Sequence, residues 1–185
     1  MTPSMDIHTP KGQLAHRAAQ HMAETLGYRW RWAWFPTPAR PGRDAARLDG
    51  CYVRYHPERS IEAVVECKAR GQTRAYFATA GEYPDHYLIT ADKITHGIAA
   101  SETFGVPFIL LVYLVPDMAA YVFPITNHKG EQLMPIMSAC TNTQATVNGG
   151  SARRENAFIP FEYARVYDLQ SAEAEAIFAE WPLPN

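Results

Sequence analysis

Residues 106 to 115 read VPFILLVYLV, an almost uninterrupted apolar run of strand length. A strand with one wet face alternates apolar and polar residues. This one does not, so both of its faces must be covered and it belongs at the centre of a sheet with layers on either side. The run is far below the roughly 20 residues that a membrane-spanning helix needs. The N-terminus, MTPSMDIHTP, has no apolar region of the kind a signal peptide carries. The expectation is one soluble domain of 185 residues, with the cytosol as its default compartment and no membrane partner. Three widely spaced cysteines, Cys51, Cys67 and Cys140, form neither a disulfide framework nor a CxxC knuckle and read as small core residues.

Around that strand the chain reads as a mixed α/β protein. Thr9-Pro10 starts a helix on which Leu14, Ala18, Met22 and Leu26 recur at every fourth residue, with Gly27 as its end. Trp30, Trp32 and Trp34 then alternate with Arg29, Arg31 and Ala33, which predicts a strand with an aromatic core face. A Pro-rich loop carrying Arg40 and Arg43 leads to two strands, 47–55 and 61–69, joined by the short turn at 56–60. Further on come a short strand over 85–90 and a helix capped by Thr90 with Ala91, Ile94 and Ile98 on one face. Gly105 closes that helix, and after the central run a strand spans 118–125. Asn127 to Gly130 is read as a turn, 148–151 as a loop, 158–166 as a last strand and 171–180 as an acidic helix. The core is expected within about 9–125 and a C-terminal extension over about 126–185.

The chemistry concentrates on the hairpin. In a strand, Glu66 and Lys68 lie two positions apart and project from one face, at the end of an apolar segment where unpaired charge is expensive. Asp49, followed by Gly50, brings a second carboxylate on the preceding strand, with the glycine leaving room for close approach. Two converging carboxylates repel unless a cation neutralises them, and hard oxygen ligands suit Mg²⁺ or Mn²⁺. The backbone carbonyl of Cys67 is a candidate third ligand. Such an ion lowers the pKa of bound water and stabilises charge on a phosphate under attack. Lys68, its own pKa lowered beside the metal, would orient or help deprotonate that water.

Asp49 followed by Glu66-Cys67-Lys68 resembles the PD-(D/E)xK nuclease superfamily, which includes restriction endonucleases, Holliday junction resolvases and many phage nucleases. The resemblance covers roughly 9–125, and the segment YLITADK at 87–93, followed by a helix and the apolar strand, looks like small phage or prophage members. It implies an α/β, restriction-endonuclease-like core, a mixed central sheet flanked by helices in the order α-β-β-β-α-β. It also implies phosphodiester hydrolysis at Asp49, Glu66 and Lys68 with Mg²⁺ or Mn²⁺, on DNA, with RNA and a homodimer left open. Leu48 stands where the pattern has proline. A second departure is His16, four residues after Gly12, where resolvase-like members carry a glutamate. It reads either as an accessory metal or water ligand or as a helix-surface residue. Glu24 lies eight residues further along, about 12 Å at 1.5 Å per residue, too far to substitute directly.

Residues 1–74 hold 12 Lys and Arg against 7 Asp and Glu, whereas residues 75–185 hold 5 against 12. The basic part suits a polyanionic partner, although mutual neutralisation of the two parts explains it equally well. Arg70, Arg74 and Lys93 are candidates for holding phosphates, alongside a DNA-contacting loop with Arg40, Arg43 and Arg47. The rival reading is a non-catalytic nucleic-acid- or protein-binding module on the same fold, in which Glu66 and Lys68 form a structural ion pair. A phage assembly protein is a third.

Overall fold

The computed structural model describes residues 10–37, 48–54, 60–142 and 153–181. Thr9, the arginines of the 38–47 loop, the turn at 56–59 and the loop at 148–151 lie outside them.

The apolar run forms β5 (Phe108–Leu114), buried along nearly all its length. It pairs in parallel with β3 (Ser60–Arg70) and antiparallel with β6 (Ala119–Pro124). β3 continues antiparallel to β2 (Gly50–Arg54), and β2 to β1 (Ala33–Pro36). With β9 (Arg165–Asp168) at the far edge, the order is β1-β2-β3-β5-β6-β9. The sheet is mixed, as expected.

Strand alternation sorts β3 and β5 into two cores. Ala63, Val65, Cys67, Ala69, Leu111 and Tyr113 meet Leu14, Ala18, Met22 and Leu26 of α1 (Pro10–Trp30). Val64, Leu110, Val112 and Leu114 face the other way, towards Tyr87 and Ile89 of β4 (His86–Thr90) and Ile94 of α3 (Ala91–Phe104). Gly105, at φ 64°, ends α3 in the left-handed conformation. Thr90 does occupy the N-cap position, but its side chain makes no capping bond.

The aromatic alternation after the first helix has a different cause from the predicted strand. Gly27 does not stop α1, which runs on to Trp30, and β1 begins only at Ala33. Arg31, at φ 61°, turns the chain back so that the Trp32 N–H donates to the Gly27 carbonyl at 2.8 Å. A Cβ on Gly27 would lie 2.8 Å from the Trp32 carbonyl oxygen, so this glycine gives space to the return rather than a helix end. The three tryptophans nevertheless converge as core, each with its ring within 6 Å of Tyr52.

Residues beyond 125 complete both cores. β7 (Met137–Asn142) and β8 (Arg153–Pro160) join β4 in a second sheet, ordered β4-β8-β7. The predicted strand over 158–166 is two strands, because a single 3-10 turn at Phe161–Tyr163 separates β8 from β9. α4 (Ala172–Glu180), capped by the Ser171 hydroxyl, packs Ile177 against the α1 core and pairs Glu180 with Arg17 at 2.8 Å. α2 (Arg74–Thr79), in the connection after β3, has no counterpart in the sequence reading.

Tyr113 is fully buried, and its hydroxyl has no hydrogen-bond partner among the described residues. Burial pushes that phenol up to about 12. Replacing it with phenylalanine removes a desolvated group that gains nothing in return. Tyr113→Phe is expected to leave stability unchanged or raise it by up to about 1 kcal/mol, measured by chemical denaturation. A loss of that size would instead mean that a buried water serves the hydroxyl.

Candidate active site

The site arises where β3 outruns β2. The ladder between them ends at Gly50 opposite Val65, while β3 continues to Arg70. Asp49 still donates its N–H to the Val65 carbonyl at 3.1 Å, but its own carbonyl turns away to accept from Thr37 at 2.9 Å. Its carboxylate takes the place of the missing ladder, with Oδ2 accepting from the Cys67 N–H at 2.8 Å. Carbonyls on this open edge are filled by side chains of β3 itself. Lys68 Nζ donates to the Cys67 carbonyl at 3.0 Å, and Arg70 donates to that of Ala69 at 3.1 Å.

Glu66 and Lys68 share the face of β3 that looks towards β4 and α3, and their side chains form a close ion pair. Lys68 Nζ also lies 3.4 Å from Asp49 Oδ2. One ammonium therefore gathers the three oxygens expected as metal ligands: the Asp49 and Glu66 carboxylates and the Cys67 carbonyl. The room beside Gly50 serves another purpose than the one expected. A Cβ there would collide with the Trp34 ring and lie 2.5 Å from the Phe35 carbonyl oxygen, so the glycine lets β1, not Glu66, come close.

Burial sets the electrostatics. Glu66 is 0% exposed, and desolvation lifts its carboxyl above the usual range, with Asp49 adding to the rise and Lys68 and Lys93 opposing it. For Lys68, burial pulls the ammonium down, but Glu66 and Asp49 more than offset this and leave it above the usual lysine range.

Lys93, in the first turn of α3, lies 3.1 Å from Glu66 Oε1 and 3.2 Å from Oε2. Sequence reasoning gave it only a phosphate-holding or solvated role, because the fold that brings 93 to 66 has no local signature. Tyr87 was likewise missed. It is fully buried on β4 beneath the Arg70 guanidinium, 5.5 Å from ring centroid to cation, and its hydroxyl has no hydrogen-bond partner among the described residues. Its alternation with exposed Leu88 was the signal available.

Arg74 is committed elsewhere. It donates to Asp85 at 2.7 Å, stacks over Phe161 at 4.4 Å, and its backbone N–H donates to Asp117 at 2.6 Å. His16 is exposed on α1, the helix covering the opposite sheet face, and no hydrogen bond or ion pair ties it to the three charged residues. Glu24 is exposed on the same helix.

Among the described residues no three His, Cys, Asp or Glu side chains come together to hold a metal. The protein ligands would be the two carboxylates plus a backbone carbonyl. That donor set, already arranged round one ammonium, fits a small hard cation.

A mixed sheet flanked by helices, with an aspartate before one strand and E-x-K on the next, is compatible with a restriction-endonuclease-like fold. The chain belongs to the PD-(D/E)xK nuclease superfamily. Residues 42–133 match the family described as phage putative PDDEXK endonuclease, a span that contains Asp49, Glu66, Lys68 and Lys93. No curated protein and no solved structure matches the chain. No described helix is long and apolar enough to cross a membrane.

Proposed function

We propose that the protein is a metal-dependent nuclease that hydrolyses phosphodiester bonds of DNA. One observation carries this reading: Asp49, Glu66 and the Cys67 carbonyl converge on a single cationic position next to an open strand edge. A bound Mg²⁺ or Mn²⁺ supplies Lewis-acid polarisation of the phosphate and a more acidic water. Asp49 and Glu66 hold it, and the Cys67 carbonyl completes the protein's share of the ligands. Lys68, on the same face, orients the attacking water and offsets negative charge as it builds on the phosphate. Arg70 and Lys93 border the centre and would meet neighbouring phosphates. Arg74 joins them only by leaving Asp85.

The test is cleavage of linear, single-stranded, nicked and branched DNA with Mg²⁺ or Mn²⁺, comparing wild type with Glu66→Ala and Lys68→Ala. Lys68→Ala is expected to lower the rate by about 100-fold or more while still binding the metal. If wild type cuts nothing and binds no Mn²⁺ in calorimetry, the fold serves as a non-catalytic binding module and the Glu66–Lys68 pair is structural.

A further inference from the structure

The nuclease reading leaves Lys93 as one basic residue among several, yet its placement on Glu66 is specific. Both oxygens of this wholly buried carboxylate lie within ion-pair distance of an ammonium, Oε1 of Lys68 and Lys93 and Oε2 of Lys93, and among the described residues only Oε2 accepts a hydrogen bond. Asp49, by contrast, is 38% exposed and turns one oxygen to Lys68 and the Cys67 N–H. Among the described residues, two carboxylates and two ammoniums meet here, so their formal charges balance. A divalent cation therefore finds Glu66 occupied, and binding it adds two charges to a partly buried place where like charges repel strongly.

We propose that Lys93 is the resident counter-ion of Glu66, and that the divalent cation must displace it to bind. Geometry distinguishes Lys93 from Lys68 in this respect. Lys68 is anchored to β3 itself by the Cys67 carbonyl and to Asp49, and it belongs to the E-x-K strand. Lys93 comes from another element, the first turn of α3, and its side chain is the more exposed of the two, 26% against 19%. The exchange would keep Glu66 compensated throughout, by the two ammoniums now facing it and then by the cation together with Lys68. The two ammoniums also compensate a fully buried carboxylate that would be strongly disfavoured if unpaired. The cation-free protein is thereby stabilised at the expense of metal affinity.

This inference rests on the metal-binding part of the proposed function, and its test separates the two. Mn²⁺ is titrated calorimetrically into wild type, Lys93→Met, Lys93→Gln and, as a control for general positive charge, Arg70→Met, with thermal unfolding of each recorded with and without Mn²⁺. Both Lys93 variants are expected to bind Mn²⁺ roughly tenfold more tightly than wild type, because the cation no longer evicts an ammonium. They should also be less stable without the ion and show a larger Mn²⁺-induced rise in Tm. Arg70→Met is expected to change the affinity by less than about threefold. A purely structural role for Lys93 predicts the reverse, since a loosened site binds metal more weakly. Wild type that binds Mn²⁺ through Glu66 while neither Lys93 variant binds it more tightly would overturn the exchange and leave the nuclease reading intact. Equal tightening by Arg70→Met would also overturn it, by assigning the effect to general charge. No Mn²⁺ binding by any of the four proteins would remove both.

Discussion

Glu66→Ala is expected to abolish metal-dependent cleavage, with a rate at least about 1,000-fold below wild type, and to lower stability by about 3 kcal/mol. The catalytic loss follows from removing one of the two carboxylates that meet at the centre among the described residues. The stability loss has a separate origin. Lys68 and Lys93 both face Glu66, and without it two ammoniums in a largely desolvated place lose a shared carboxylate, while Lys68 keeps only the more distant one of Asp49 at 3.4 Å. Because each retains some exposure, they relieve part of the loss by turning to water, so the effect falls short of that for a fully enclosed charge. Denaturant unfolding and a cleavage assay on the same variant measure both. Replacing all three groups by apolar residues of similar size, Glu66→Leu with Lys68→Met and Lys93→Met, is expected to recover most of the lost stability and none of the activity. If the triple variant is no more stable than Glu66→Ala, orphaned charge is not what destabilises the single one.

The second large effect is expected at a residue with no side chain. Gly50→Ala places a methyl group 2.5 Å from the Phe35 carbonyl oxygen and closer still to the Trp34 ring. The ring can turn aside, but the carbonyl is backbone of the paired strand β1. Relief requires β1 and β2 to separate, at a cost of about 3 kcal/mol. Movement of β2 carries Asp49 with it, since the residues are adjacent, and takes its carboxylate away from the Cys67 N–H at 2.8 Å and Lys68 Nζ at 3.4 Å. Gly50→Ala is therefore expected to cut activity by about tenfold even at temperatures where the variant remains folded. Circular dichroism during thermal unfolding, together with cleavage at low temperature, separates the two losses. A variant as stable as wild type would show that the β1–β2 contact is looser than these distances imply.

What the sequence made legible was the part governed by local pattern. The apolar run could only be a central strand, and the short turn after Arg54 made a hairpin of the two strands that carry Asp49, Glu66 and Lys68. Strand period and hairpin pairing predict that those three side chains come close, and Lys68 does lie beside both carboxylates. The tryptophan alternation misled because a helix end followed by a left-handed turn at Arg31 reproduces, over a few residues, the spacing of a strand. β4 and β8 pair across about 70 residues of sequence, as Tyr87 with Ile159, and no local feature of either announces the other. The same is true of Lys93, whose meaning depends on where α3 is docked. His16 shows the opposite limit: a position matched by analogy to relatives is placed by the helix's rotation, which here leaves it exposed.

The open edge of β3 has a consequence beyond chemistry. Among the described residues no strand pairs with β3 beyond Val65 on the side that β2 has left, and a strand edge of that kind is a template for a strand of another molecule. Charged side chains folded back over it, Lys68 on the Cys67 carbonyl, Arg70 on the Ala69 carbonyl and the Asp49 carboxylate on the Cys67 N–H, occupy the positions a foreign strand would need. The groups gathered for a cation thus also guard the molecule against intermolecular β-pairing. Variants that empty the centre of charge strip that guard, and solubility becomes a second function of the same few atoms.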